Sequence, residues 1–124
     1  GRMVIVDTML PDDQEIADFY QSMEKMRDPT HNQAFTRDQW QQMIEAADFT
    51  VEKMAVFEKC HDFKTWAERA GLDHKQVGEL NQYFIDSPDK VHDYFQIETF
   101  AGDVESYTDK KLLIYATRID TKRE

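Results

Sequence analysis

Met3-Val4-Ile5-Val6-Asp7 is a short apolar run closed by a carboxylate. It contains no polar alternation, so it predicts a strand buried on both faces, as in a parallel sheet. Leu10-Pro11-Asp12-Asp13 comes next. An early Pro with acids in the first turn marks a helix start, where unpaired amides carry partial positive charge. Ile16, Phe19, Tyr20, Met23 and Met26 then recur at three- and four-residue spacing, which makes one buried stripe. Asp28-Pro29 stops that helix, because a residue before Pro resists the helical region.

Working outward, residues 27–35 read as a loop. Thr36 and Gln39 form a capping box, with Trp40, Met43, Ile44 and Ala47 as the stripe behind it. Residues 49–58 predict a strand with Phe49, Val51, Ala55 and Phe57 on one face, interrupted by Lys53. A helix over 62–70 packs Phe63, Trp66, Ala67 and Ala70 and stops at Gly71. Another, near 73–85, carries Val77, Leu80, Tyr83 and Phe84. Ser87-Pro88-Asp89 is a turn or a helix start, and residues 93–100 alternate loosely around Phe95 and Ile97. Gly102-Asp103 turns the chain into a last strand at 112–116, continuously apolar and expected to be buried on both faces. Residues 120–124 are a charged tail expected to fray. The order β-α-α-β-α-α-β-β implies an α/β fold, a mixed sheet of three to four strands with helices packed on it.

Composition bounds the function. The 124 residues suit a single domain spanning 1–124, and 40% hydrophobic with 12% aromatic content builds a core. A net charge of −10 disfavours nucleic acid as a partner. The lone Cys60 excludes an intramolecular disulfide and fits a reducing, cytoplasmic setting. No apolar run is long enough to span a membrane, and no signal peptide is visible. Glycines 1, 71, 78 and 102 do not cluster, so a dinucleotide fingerprint is absent. Cys60-His61-Asp62 lacks metal-ligand spacing, and His74 and His92 lie on other segments. All are read as structural or surface groups, and no metal is expected.

Two candidates carry chemistry. The loop Arg27-Asp28-Pro29-Thr30-His31 gathers a cation, a carboxylate, a hydroxyl and an imidazole. His31 could serve there as a general base; the competing reading is a local Arg27–Asp28 ion pair with His31 on a carbonyl. Asp7, at the end of the first strand, lies where open α/β sheets bind ligands, though turn and cap carboxylates are common there.

These segments resemble class I S-adenosylmethionine (SAM)-dependent methyltransferases, in the branch similar to the ubiquinone/menaquinone-biosynthesis C-methyltransferases and their bacterial relatives. Gly1-Arg2-Met3-Val4-Ile5-Val6-Asp7 looks like the end of that family's "PGG-x-hydrophobic strand-D" segment. Residues 11–19, and then Met26-Arg27-Asp28-Pro29-Thr30-His31, carry the resemblance to that branch. Residues 36–51 look like its "helix, then A-G-F-x-V, then strand". Residues 57–71 resemble "F-E-x-x-x-D-F-x-x-W-x-x-R-A-G", and 111–118 its final strand. No segment resembles the family's SAM site, a glycine-rich loop and an acidic residue in the amino-terminal half.

The resemblance therefore implies the carboxyl-terminal, substrate-side half of a Rossmann-like methyltransferase. It is expected to be unable to bind SAM alone, with cofactor-binding residues unknown and a small-molecule methyl acceptor as substrate. His31 is the expected catalytic base, and Asp7, Arg27, Trp40 and Trp66 the expected substrate contacts. The start at Gly1-Arg2-Met3 reads either as a vector scar before Met3 or as the point where a larger sheet was cut. Strand 3–7 would then present a bare edge, expected to pair with another chain in a two-fold dimer. The alternative is a small non-enzymatic ligand-binding or dimerising module with Trp40, Phe63, Trp66 and Tyr83 in its pocket.

Overall fold

The structure, a computed structural model, describes residues 1–119; the charged tail at 120–124 lies outside the described residues. The chain runs β1 (Arg2–Leu10), α1 (Gln14–Arg27), β2 (Phe35–Thr36), α2 (Arg37–Ala46), β3 (Phe49–Asp62), α3 (Phe63–Arg69), α4 (His74–Ile85), α5 (Asp89–Tyr94), β4 (Glu98–Phe100) and β5 (Asp103–Arg118). The fold is mixed α/β, as the sequence predicts. Its sheet has five strands in the order β2-β1-β5-β3, with β4 also on β5. The short β2 and β4 account for the width beyond the expected three to four strands.

Local signals place the helices. The Asp13 carboxylate accepts the Ile16 N–H at 3.1 Å and opens α1. Thr36 and Gln39 make both halves of the predicted capping box on α2. Gly71, at φ +83, lies just after α3 in the left-handed region that favours glycine. Three stripes are narrower than expected: Met26 and Met43 are exposed, as are Ala47 just beyond α2 and Ala70 just beyond α3.

Three strand expectations need correction. β1 is not buried on both faces and is not parallel to its main partner. It pairs antiparallel with β5 from Arg2↔Thr117 to Thr8↔Lys111, and parallel only with β2 at Met9 and Leu10. Its exposed face carries Val4 at 65% and Val6 at 53% exposure. β5 extends far beyond 112–116 and alternates: Leu112, Ile114 and Ala116 are buried, whereas Leu113 and Tyr115 are only half-buried. In β3 the register shifts between Val51 and Lys53. The extra residue, Glu52, reverses the phase, so Met54 joins Phe49 and Val51 and Phe57 ends up exposed.

Two apolar clusters result. The larger joins α1, α3, α4 and α5 to Leu10, Val104 and Tyr107, with Met23, Phe84 and Phe95 sealed inside. The smaller packs Ile44 of α2 on Leu112, Ile114 and Ala116, flanked by Met3, Ile5, Trp40 and Met54. Strand alternation puts the two on opposite faces of the sheet.

Candidate functional site

The site lies where β1 parts from β5. Their pairing ends at Thr8↔Lys111, after which β1 turns away toward β2. A cavity of about 620 Å³ occupies this divergence. Strand periodicity supplies its floor: Tyr107, Asp109 and Lys111 project from one face of β5, and Lys59 and His61 from the partner positions on β3. Helix periodicity supplies one wall, since Tyr20, Glu24 and Arg27 lie one turn apart along α1. Trp66 and Arg69, three apart on α3, form another.

Asp109 is the deepest charge, at 1% exposure. Its Oδ2 is 3.1 Å from Lys111 Nζ, and Lys111 donates to Thr8 Oγ1 at 2.7 Å. Its Oδ1 is 3.2 Å from His61 Nε2, but neither atom finds a well-aligned hydrogen-bond partner. Burial alone would raise the Asp109 pKa; His61 and Lys111 outweigh it and hold the carboxyl below its ordinary value of 3.8. The His61 ring stacks on Tyr107, with centroids 4.7 Å apart. Burial, followed by Asp109, pushes the Tyr107 pKa up; burial, followed by Glu24, does the same for Tyr20. Both phenols therefore stay protonated near neutral pH and act as donors, not bases.

The 27–31 loop differs from its expected pairing. Arg27 bonds Glu24 at 3.4 Å, donates through Nε to the Trp66 carbonyl at 3.2 Å, and lies 4.7 Å above the Trp66 ring. Asp28 instead accepts from the backbone and hydroxyl of Thr30. His31 Nε2 lies 3.3 Å from Gln21 Oε1, which must accept from it. That leaves Nδ1 as the basic nitrogen, 3.9 Å from Glu24 Oε2.

Of the residues expected at a site, Asp7, Arg27, His31 and Trp66 line this one cavity. Asp7 also accepts the Thr8 N–H at 2.7 Å. Trp40 does not reach it. It packs edge-on against Phe35 at 5.5 Å, in the cluster beneath α2. Nor do Trp40, Phe63, Trp66 and Tyr83 form one pocket: Phe63 is core, and Tyr83 lines a separate cavity with Phe19 and Val91. Sequence reasoning missed Tyr107, Asp109, Lys111 and Lys59, and read His61 as structural or surface. The usable signal is the period-two placement of Tyr107-x-Asp109-x-Lys111, masked because the apolar run that marks the strand begins only at Leu112. Among the described residues, no group of three His, Cys, Asp or Glu side chains is arranged to hold a metal.

No protein-family model matches the chain. Among curated proteins it is similar to the uncharacterized methyltransferase YcgJ of Bacillus subtilis, 23% identical over 97 residues. It is also similar to the uncharacterized protein YafE of Escherichia coli, 22% identical over 107 residues. These matches take in 78% and 84% of this chain, but the chain spans only 38% and 52% of the relatives' lengths. Among solved structures, a candidate methyltransferase from Bacillus halodurans superposes with TM-score 0.89 at 28% identity, covering 94% of this chain and 55% of that one. The crystal structure of YcgJ gives 0.88 at 22% identity, covering 97% of this chain and 52% of that one, a likeness of fold.

Proposed function

We propose, for a chain that shares its fold and its relatives with methyltransferases, that it is the substrate-side, carboxyl-terminal portion of a SAM-dependent methyltransferase. The observation that carries this is the cavity itself, an ionisable recess at the divergence of two strands within that fold. The chain's own residues do not fit SAM. Gly71 and Gly102, its two glycines at positive φ, stand in separate turns with open space before them and build no cradle. The donor site belongs to polypeptide outside this span, and this chain's work is to hold the acceptor and move its proton.

In that reading Asp7, Arg27 and Trp66 contact a small-molecule acceptor, and His31 Nδ1 takes the proton that the acceptor loses. The free edge of β1 at residues 2–8 pairs with a second copy of the chain. Cytoplasmic placement belongs to the same reading, and no described helix is long and apolar enough to cross a membrane.

Titration calorimetry with SAM tests the division of labour: no binding is expected for this chain, and micromolar affinity would overturn it. The reading frame upstream of Gly1 tests the rest. It is expected to encode a glycine-rich SAM loop; a start codon at Met3 would sink the enzyme reading and favour a small binding module.

A further inference from the structure

The cavity's charges run against those of the chain. The whole protein carries −10, yet four Lys or Arg residues line this recess against three Asp or Glu residues. The three carboxylates are already engaged. Asp109 is held by Lys111 and His61, Glu24 by Arg27, and Asp7 by the Thr8 amide. Arg69 and Lys59 are different. Both are exposed at the cavity wall, and neither makes an ion pair among the described residues. A basic residue in the last turn of a helix complements the helix dipole, which accounts for Arg69 alone. It does not account for Lys59, which projects from β3 into the same recess.

The floor adds a second, independent observation. Asp109 Oδ1 and His61 Nε2 are buried and poorly satisfied, and both belong to residues lining the cavity. The two atoms lie 3.2 Å apart without good alignment, and buried polar atoms left so poorly satisfied are uncommon. Asp109 is ionised and its Oδ1 meets His61 Nε2 only at 3.2 Å and in poor alignment, so a hydroxyl or amine in the recess competes with His61 as the donor to Oδ1. Tyr107 and Trp66, packed edge to face at 4.9 Å, give the recess an aromatic lining beside this floor.

We infer that the cavity takes a small acid, a carboxylate or a phosphate ester, whose anionic head lies against Arg69 and Lys59 and whose hydroxyl or amine faces Asp109 and His61. This rests on the proposed function only in calling that molecule the methyl acceptor. The anion site is a property of these side chains and is measurable without SAM.

The two tryptophans make the test selective, since Trp66 lines the cavity and Trp40 does not. Benzoate, phenyl phosphate and the uncharged benzamide are titrated separately into the 15N-labelled chain, with both indole N–H signals monitored. Saturable millimolar movement of the Trp66 signal with either anion is expected, while Trp40 stays still. Whichever anion binds more tightly names the head group. Arg69→Gln and Lys59→Gln alter exposed side chains, so the fold is kept, and each is expected to weaken anion binding by about tenfold. Equal binding of benzamide, unchanged affinity in both variants, or no Trp66 movement would overturn the inference. Such a failure leaves the SAM titration and the upstream reading frame untouched, so the two readings fall separately.

Discussion

Asp109 is the residue on which the site depends, and its energetics are testable in this chain. A carboxylate at 1% exposure is tolerated because Lys111 and His61 face it. Asp109→Ala leaves the Lys111 ammonium without its carboxylate, so a loss of about 3 kcal/mol in urea unfolding is expected. The double variant Asp109→Ala, Lys111→Met is expected to recover part of that loss, because no charge is then stranded. If it adds to the loss instead, the pair is not what holds this floor together. The pH sign comes from the lowered pKa. The folded state favours the carboxylate, so its contribution is complete above the unfolded value of 3.8 and is lost as pH falls through the folded value. Melting temperature is therefore expected to drop below about pH 4, and less steeply in Asp109→Ala. The residues that make this site were only partly legible in sequence. Arg27 and His31 stood out because polar groups concentrate in a short loop. Asp109 did not, because the charged run Asp109-Lys110-Lys111 looks like a solvated turn until its partners on β1 and β3 are known.

Elements show the same division between local and long-range information. α1, α2 and α3 were readable because caps, Pro29 and Gly71 act within one turn of the residue that carries the signal. Thr36→Ala removes the cap of α2 and is expected to cost about 1 kcal/mol in chemical denaturation; a smaller change would mean that the packing of Ile44 alone fixes this helix. Strands were read less well, because their phase depends on bulges that only pairing reveals. The shift at Glu52 moves Met54 into the cluster beneath α2. A second shift, between Glu98 and Thr99 on β4 against Ser106 and Val104, lets Val104 and Tyr107 face the same way although they are three residues apart. Alternation carried across either shift therefore misassigns the faces of Lys59 and His61 on β3 and of Val104 on β5, while Tyr107, Asp109 and Lys111 keep a strict period of two.

At the scale of the whole molecule, the helices cover the sheet on a diagonal. α1, α3, α4 and α5 sit on one face at the end bearing Leu10 and Tyr107, while α2 sits on the other face near Ile114 and Ala116. The face left open carries Val4 and Val6, beside the half-buried Leu113 and Tyr115 paired with them. Next to it, β1 has no described partner on its outer side from residue 2 to residue 8. An unpaired apolar edge invites another strand, and natural edges are commonly guarded by lysine. Two copies related by a two-fold axis can pair these edges antiparallel and cover Val4 and Val6 together. Sedimentation velocity is expected to show a concentration-dependent dimer. The double change Val4→Lys, Val6→Lys alters only exposed side chains, so it is expected to shift the chain to monomer without lowering its melting temperature. A wild-type chain that stays monomeric at high concentration would remove the dimer. The open edge and face would then need another polypeptide to cover them.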